Sequence, residues 1–277
     1  TSRTLLPGES VELSLTNTMP AAAPGGYRVI VRTDIFNQIA EGALEGNNTT
    51  ASADTLTTTV DTLTVGTPTT LHLAAGGEKL LRLTAPPGET LRITVRSSDP
   101  TAANEIFIRH DALPGPGAFD ATYEGPLSSD LVALVPDTEP GTYYVSLRNF
   151  SGNAAGTDLT VLAEFLPLVI TDVATDRGGD SRFVTTRIRG AQFAEGATVR
   201  LARPGIAEFS PVAWRVIDST EIVATFDLTG ADLGLYDIQV TNPSGERVVS
   251  PYRFLVERAV EGDVTIGVGG ARIILPG

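Results

Sequence analysis

Cysteine is absent from the 277 residues, which removes disulfides, zinc thiolates and thiol nucleophiles together. Histidine is scarce: only His72 and His110 are available as a base or an imidazole ligand. Lysine occurs once, at Lys79, and 20 basic residues in all face 33 acidic ones, for a net charge of -13. Such a balance repels phosphate backbones and argues against nucleic acid as a partner. It suits a protein in salty surroundings or one that collects cations. No apolar run approaches the roughly 18 residues that cross a membrane, so membrane insertion is not expected. No signal-peptide pattern is present, and the chain opens on "TSRTLLPG", as a piece lying downstream of one would.

Short alternating segments fill the chain instead. In "VELSLT" the apolar positions are Val11, Leu13 and Leu15; in "TLRITVRS" they are Leu91, Ile93 and Val95; in "YDIQVTN" they are Tyr236, Ile238 and Val240. Period two puts each trio on one face of a strand. Turn clusters such as "LPGE", "APPGE", "TEPGT" and "NPSGE" punctuate the alternation, drawing on 28 glycines and 18 prolines. The best helical candidate, "NQIAEGALEG", is short and broken by Gly42 and Gly46. The expected class is therefore all-β, with β-sandwiches in tandem, since one sandwich takes about 100 residues. Three β-units in series are expected, at 1–62, 66–165 and 167–257, with 258–277 as a linker or the start of a further module.

Each unit resembles a bacterial extracellular family. The first, "LPGESVELSLTNTMPAAAPGGYRVIVRTDIFNQIAEGALEGNN", resembles the second half of a CARDB domain, a sandwich associated with cell adhesion. The second, carried by "EIFIRHDALPGPGAFDATYEG" and "EPGTYYVSLRNFSG", resembles the bacterial pre-peptidase C-terminal (PPC) family. The third, with "IRGAQFAEGATVRL", "STEIVATF" and "GLYDIQVTNPSGE" in order, resembles an IPT/TIG module of immunoglobulin-like fold. These resemblances imply jelly-roll-like and immunoglobulin-like sandwiches in a secreted or surface-displayed bacterial protein. They also make the two ends read as unfinished modules, with the tail Gly262–Leu275 as one or two further strands that dock on a neighbour or another copy.

The densest cluster of polar groups is "DIFNQIAEGALEGNN". Its Asp34, Asn37, Glu41, Glu45, Asn47 and Asn48 match the polar positions of the CARDB resemblance. Hard cations such as calcium take six to eight oxygens, which these side chains would supply in a curled loop. The other reading is that Asn and Asp cap turns by bonding nearby backbone. No EF-hand spacing is present. Loop closure is the first expectation and weak calcium binding the second; no other cofactor is implied. Catalysis is not expected here, because like carboxylates beside a half-domain make no acid–base pair.

Elsewhere the expectations are structural. His72 is placed on the solvent face of its strand and His110 at a strand-to-turn boundary; no serine stands in a nucleophile-elbow pattern. Asp172, Asp176 and Asp180 surround Gly178 and Gly179, a solvated turn first and a cation site second. Asp99, Asp120 and Glu124 would meet only in three dimensions. Of the neighbours Tyr143 and Tyr144, one faces the core. Trp214 is expected to pack in a core. The chain then reads as non-catalytic: a spacer and adhesion or ligand-binding region whose ligand is a protein or a polysaccharide. The alternative is an accessory, substrate-targeting region of a secreted hydrolase such as a peptidase, with the catalytic domain elsewhere in the parent.

Overall fold

The computed structural model describes residues 8–16, 22–36, 38–40, 42–150 and 152–260. The protein is all-β, built from several mostly antiparallel sheets as sandwich modules, and no α-helix occurs among the described residues. Asp61–Thr62 pairs in parallel with Glu78–Ala85, and Arg177–Gly179 with Arg247–Glu257.

The first segment forms two small antiparallel pairs. Strands β1 (Gly25–Tyr27) and β4 (Leu56–Thr58) pair, with Tyr27 opposite Leu56; β2 (Ile30–Arg32) and β3 (Thr49–Ala51) pair, with Arg32 opposite Thr49. Between β2 and β3 the chain makes a 3-10 helix, Gly42–Asn48. The alternation over Val11–Leu15 does not give a strand: residues 8–16 are irregular, and Leu13 and Leu15 are 85% and 92% exposed. Alternation selects a face, but a strand also needs a partner ladder and a surface to cover. No described sheet supplies either to these residues.

The next strands are β5 (Asp61–Thr62), β6 (Thr69–Leu73), β7 (Glu78–Ala85), β8 (Thr90–Ser97), β9 (Asn104–His110), β10 (Ala121–Thr122), β11 (Leu131–Val135), β12 (Gly141–Asn149) and β13 (Thr157–Leu166). They form a five-stranded sheet, β10-β9-β12-β7-β5, and a four-stranded sheet, β11-β8-β13-β6. Period two explains the burial. Leu91, Ile93 and Val95 of β8 are buried, as are Tyr143, Val145 and Leu147 of β12, while Tyr144 is only half-buried. Each such side chain contributes on the order of 1.5–3 kcal/mol by leaving water. Gly156 closes the turn before β13 at φ +77°, a left-handed conformation that glycine adopts without a Cβ clash.

The last strands are β14 (Val169–Ala174), β15 (Arg177–Gly179), β16 (Phe183–Ala191), β17 (Thr198–Arg203), β18 (Ala207–Phe209), β19 (Ala213–Asp218), β20 (Glu221–Asp227), β21 (Gly234–Thr241) and β22 (Arg247–Glu257). Their sheets run β14-β16-β20-β19 and β15-β22-β21-β17-β18. One continuous core joins Ile188, Ile222, Phe226, Tyr236, Ile238, Val240 and Phe254. A Cβ on Gly190 would collide with the Val169 carbonyl and the Phe193 ring, so the glycine in "IRGAQF" is what lets β14 lie against β16. Tyr236 donates its hydroxyl to the Asp232 carbonyl at 2.8 Å, a contact four residues upstream that ties the strand start to the preceding turn. Trp214 departs from expectation. It lies on the edge strand β19, is 48% exposed, and donates Nε1–H to the Ala197 carbonyl at 3.0 Å. An edge strand has a neighbour on one side only, so even its inward-alternating residue reaches solvent.

Backbone packing divides the chain into two compact units. One holds the described residues up to Thr84 with Thr94–Ala133 and Gly141–Leu162; the other holds Ala85–Ile93, Leu134–Pro140 and the described residues from Ala163 onward.

Candidate functional site

The acidic loop is built by a backbone device. Asp34 sits in the left-handed region at φ +41°, where aspartate is tolerated because its short side chain bonds locally. Its carboxylate accepts two backbone N–H bonds, Oδ1 from Gln38 at 2.7 Å and Oδ2 from Ile39 at 2.9 Å. The far end is tied to β2. Thr33 N–H donates to the Asn48 carbonyl at 2.9 Å, and the Thr33 hydroxyl donates to Asn48 Oδ1 at 3.0 Å. Asn48 Nδ2 in turn donates to Glu45 Oε2 at 3.4 Å. Asp34, Glu45 and Asn48 thus hold the two ends of the loop. Asn47 is exposed and makes no side-chain hydrogen bond among the described residues. Asn37 and Glu41, the other two members of the proposed oxygen set, lie outside the described residues. Among the described residues no group of three or more His, Asp or Glu side chains converges as a metal site.

His72 does lie on the solvent face of β6. Its Nδ1 is 2.7 Å from Asp158 Oδ1 directly across the ladder on β13, with both side chains more than half exposed. The carboxylate orients this imidazole, and the partner stands 86 residues away in sequence. Three hydroxyls adjoin the next strand: Ser97 Oγ is 2.7 Å from Thr157 Oγ1, and Ser98 Oγ accepts from the Asp158 N–H at 3.2 Å. These serines serve the join between β8 and β13.

His110 ends β9 opposite Tyr143 of β12, with ring centroids 5.0 Å apart. Its backbone N–H donates to Asp120 Oδ2 at 2.7 Å, and Asp111 Oδ1 accepts the Thr142 N–H at 3.0 Å. Asp111 has φ +46°, and its carboxylate ties the turn after β9 to β12 through Thr142. Of the three acids expected to meet only in space, Asp120 therefore serves the β9 turn. Asp99 caps its own turn, accepting from the Thr101 N–H at 2.8 Å and hydroxyl at 2.7 Å. The hydroxyl bond, then the amide bond, lowers the Asp99 pKa below its ordinary value; partial burial opposes them. Asp227 is lowered in the same way by Thr229.

The aspartates around Gly178 and Gly179 separate. Asp172 pairs with Arg253 at 3.2 Å, Asp176 with Arg177 at 3.2 Å, and Asp180 accepts the Ala259 N–H at 2.8 Å. Alternation in the sequence supplied the face of His72, but not the pairing of β6 with β13 that sets Asp158 against it.

No helix of the described residues is long and apolar enough to cross a membrane. The tail Gly262–Leu275 lies outside the described residues. No family model matches the chain, and no curated protein matches it. Among solved structures, it is similar to a pre-peptidase C-terminal domain of collagenase from Bacillus anthracis. The TM-score is 0.32 and the identity 11%, over 38% of this chain and 94% of that one.

Proposed function

We propose that this chain is a non-catalytic run of β-modules from a large bacterial secreted or cell-surface protein, a spacer that also carries an adhesion or ligand-binding face for a protein or a polysaccharide. The observation that carries the reading is the use made of its titratable groups. His72 is held by Asp158 across a ladder, Asp120 and Asp111 hold the backbone at the end of β9, and Asp34 holds its own loop. Each is spent on strand and turn geometry. The sequence resemblances to CARDB, PPC and IPT/TIG modules supply the extracellular, adhesive part of the proposal.

The test sets binding against hydrolysis. The purified chain is applied to immobilised cell-wall polysaccharides and matrix proteins, and to a panel of peptidase, esterase and glycosidase substrates, with His110→Ala as control. Saturable binding without turnover supports the reading. Turnover that disappears in His110→Ala would overturn it. The second reading, an accessory region of a secreted hydrolase, is favoured by the PPC resemblance of 66–165. On that reading the surface that binds is the substrate of the parent's own catalytic domain.

A further inference from the structure

The chain contains three Asn-x-Ser/Thr frames without proline at the middle position: Asn47-Asn48-Thr49, Asn48-Thr49-Thr50 and Asn149-Phe150-Ser151. A fourth, Asn242-Pro243-Ser244, is excluded by its proline. The fold separates the three. Asn149 is fully buried, and its Nδ2 donates to the Leu73 carbonyl at 3.1 Å. Asn48 is half-buried with both amide atoms engaged, by Thr33 and by Glu45. Asn47 is exposed in the last turn of the 3-10 helix, two residues before the β2–β3 pairing at Thr49, and its amide has no partner among the described residues. Thr49, at its +2 position, is exposed as well.

We infer that Asn47 is an acceptor for an asparagine-linked glycan. A bulky, hydrated substituent needs a surface turn and an amide nitrogen not already donating to the protein. Asn47 meets both conditions; Asn149 is buried and already donating, and the Asn48 amide already donates to Glu45. Glu45, two residues earlier and also exposed, offers a basic acceptor groove a carboxylate to hold beside the Thr49 hydroxyl. The donor is an oligosaccharide joined through C1 to a lipid diphosphate. Asn47 Nδ2 forms the bond to C1, the bond from C1 to the diphosphate oxygen breaks, and the lipid diphosphate leaves with the electron pair. One amide proton passes to a base of the transferase. No oxidant or reductant is involved.

The inference rests on the extracellular reading only for where the chain would meet a transferase, and the assay is therefore run in vitro. The folded chain is incubated with a lipid-diphosphate oligosaccharide and a purified oligosaccharyltransferase that accepts a carboxylate at −2. An acceptor peptide spanning Glu45–Thr50 is the positive control. Intact mass should show one addition, mapped by peptide sequencing to Asn47. Thr49→Ala removes the Asn47 frame alone and should abolish it; Thr50→Ala removes the Asn48 frame alone and should leave it. Thr49→Ser should restore it. Modification at Asn48 or Asn149, loss in Thr50→Ala, or an unmodified folded chain beside a modified peptide would overturn the assignment. None of these results depends on whether the chain binds a surface, so the two proposals fail separately.

Discussion

His72 Nδ1 lies 2.7 Å from Asp158 Oδ1, joining the edge strand β6 to β13 at residues that face each other in register. The side chains are 58% and 60% exposed, so water competes with the contact from both sides. A double-mutant cycle with His72→Ala and Asp158→Ala, read by urea unfolding, should give a coupling below about 1 kcal/mol. A coupling of several kcal/mol would mean that the pair is shielded by something bound over it.

Acid should weaken the fold through Asp99 and Asp227. Hydrogen bonds from Thr101 and Thr229 hold both carboxyls below their ordinary value. A lowered folded pKa gives stability that is present above the unfolded value, about 3.9, and lost as pH falls through the folded value. Melting temperature should drop on acidification below about pH 4, and less steeply in the Asp99→Asn/Asp227→Asn variant. Tyr236 works at the other limit. Burial first, and the Asp232 charge second, push its phenol above 10.0. Its stabilising effect is complete below the unfolded pKa and lost as pH climbs through the folded one. Tyr236→Phe should flatten the alkaline fall and cost about 1 kcal/mol at neutral pH.

The acidic loop should behave as a structural closure. Asp34 gives both carboxylate oxygens to backbone N–H groups, which leaves it poorly placed to hold calcium as well. Melting with excess calcium and with chelator should coincide, and the Asp34→Asn/Glu45→Gln variant should melt lower under both conditions. A calcium-dependent rise that the variant loses would establish a cation site on Asp34, Asn37, Glu41, Glu45, Asn47 and Asn48.

The boundaries 66–165 and 167–257 are proposed as modules, and a fragment is the direct check. Expressed alone, 167–257 should unfold cooperatively, because its core cluster is drawn from its own strands. Phe226→Ala, at a fully buried site, should cost that fragment about 3–5 kcal/mol. A non-cooperative melt of the unsubstituted fragment would reject the boundary.

Trp214 is the one tryptophan, so intrinsic fluorescence reports β19 directly. Half-exposed on an edge strand, it should emit at long wavelength and be quenched readily by acrylamide in the native state. Blue emission that resists quenching would put it in the core.

Much of the fold was legible in the sequence because β-sandwich strands carry their own face code. "TLRITVRS" became β8 (Thr90–Ser97) with Leu91, Ile93 and Val95 buried, since period two is a property of the strand alone. The same code misled at Val11–Leu15 and at Trp214. Whether a face is covered depends on which neighbours the sheet provides, and residues 8–16 and the edge strand β19 lack them on one side or both.

Composition by itself excluded thiol chemistry, because that conclusion needs only the count of a group. The sequence also located the polar loop at Asp34–Asn48. Only the tertiary structure decided what the polar groups touch. It set Asp158 against His72 and Asp120 against His110, and it buried Asn149 while leaving Asn47 open. The His72–Asp158 and Asn149–Leu73 contacts join residues 86 and 76 apart along the chain, and strand order, which no local pattern encodes, brings them together.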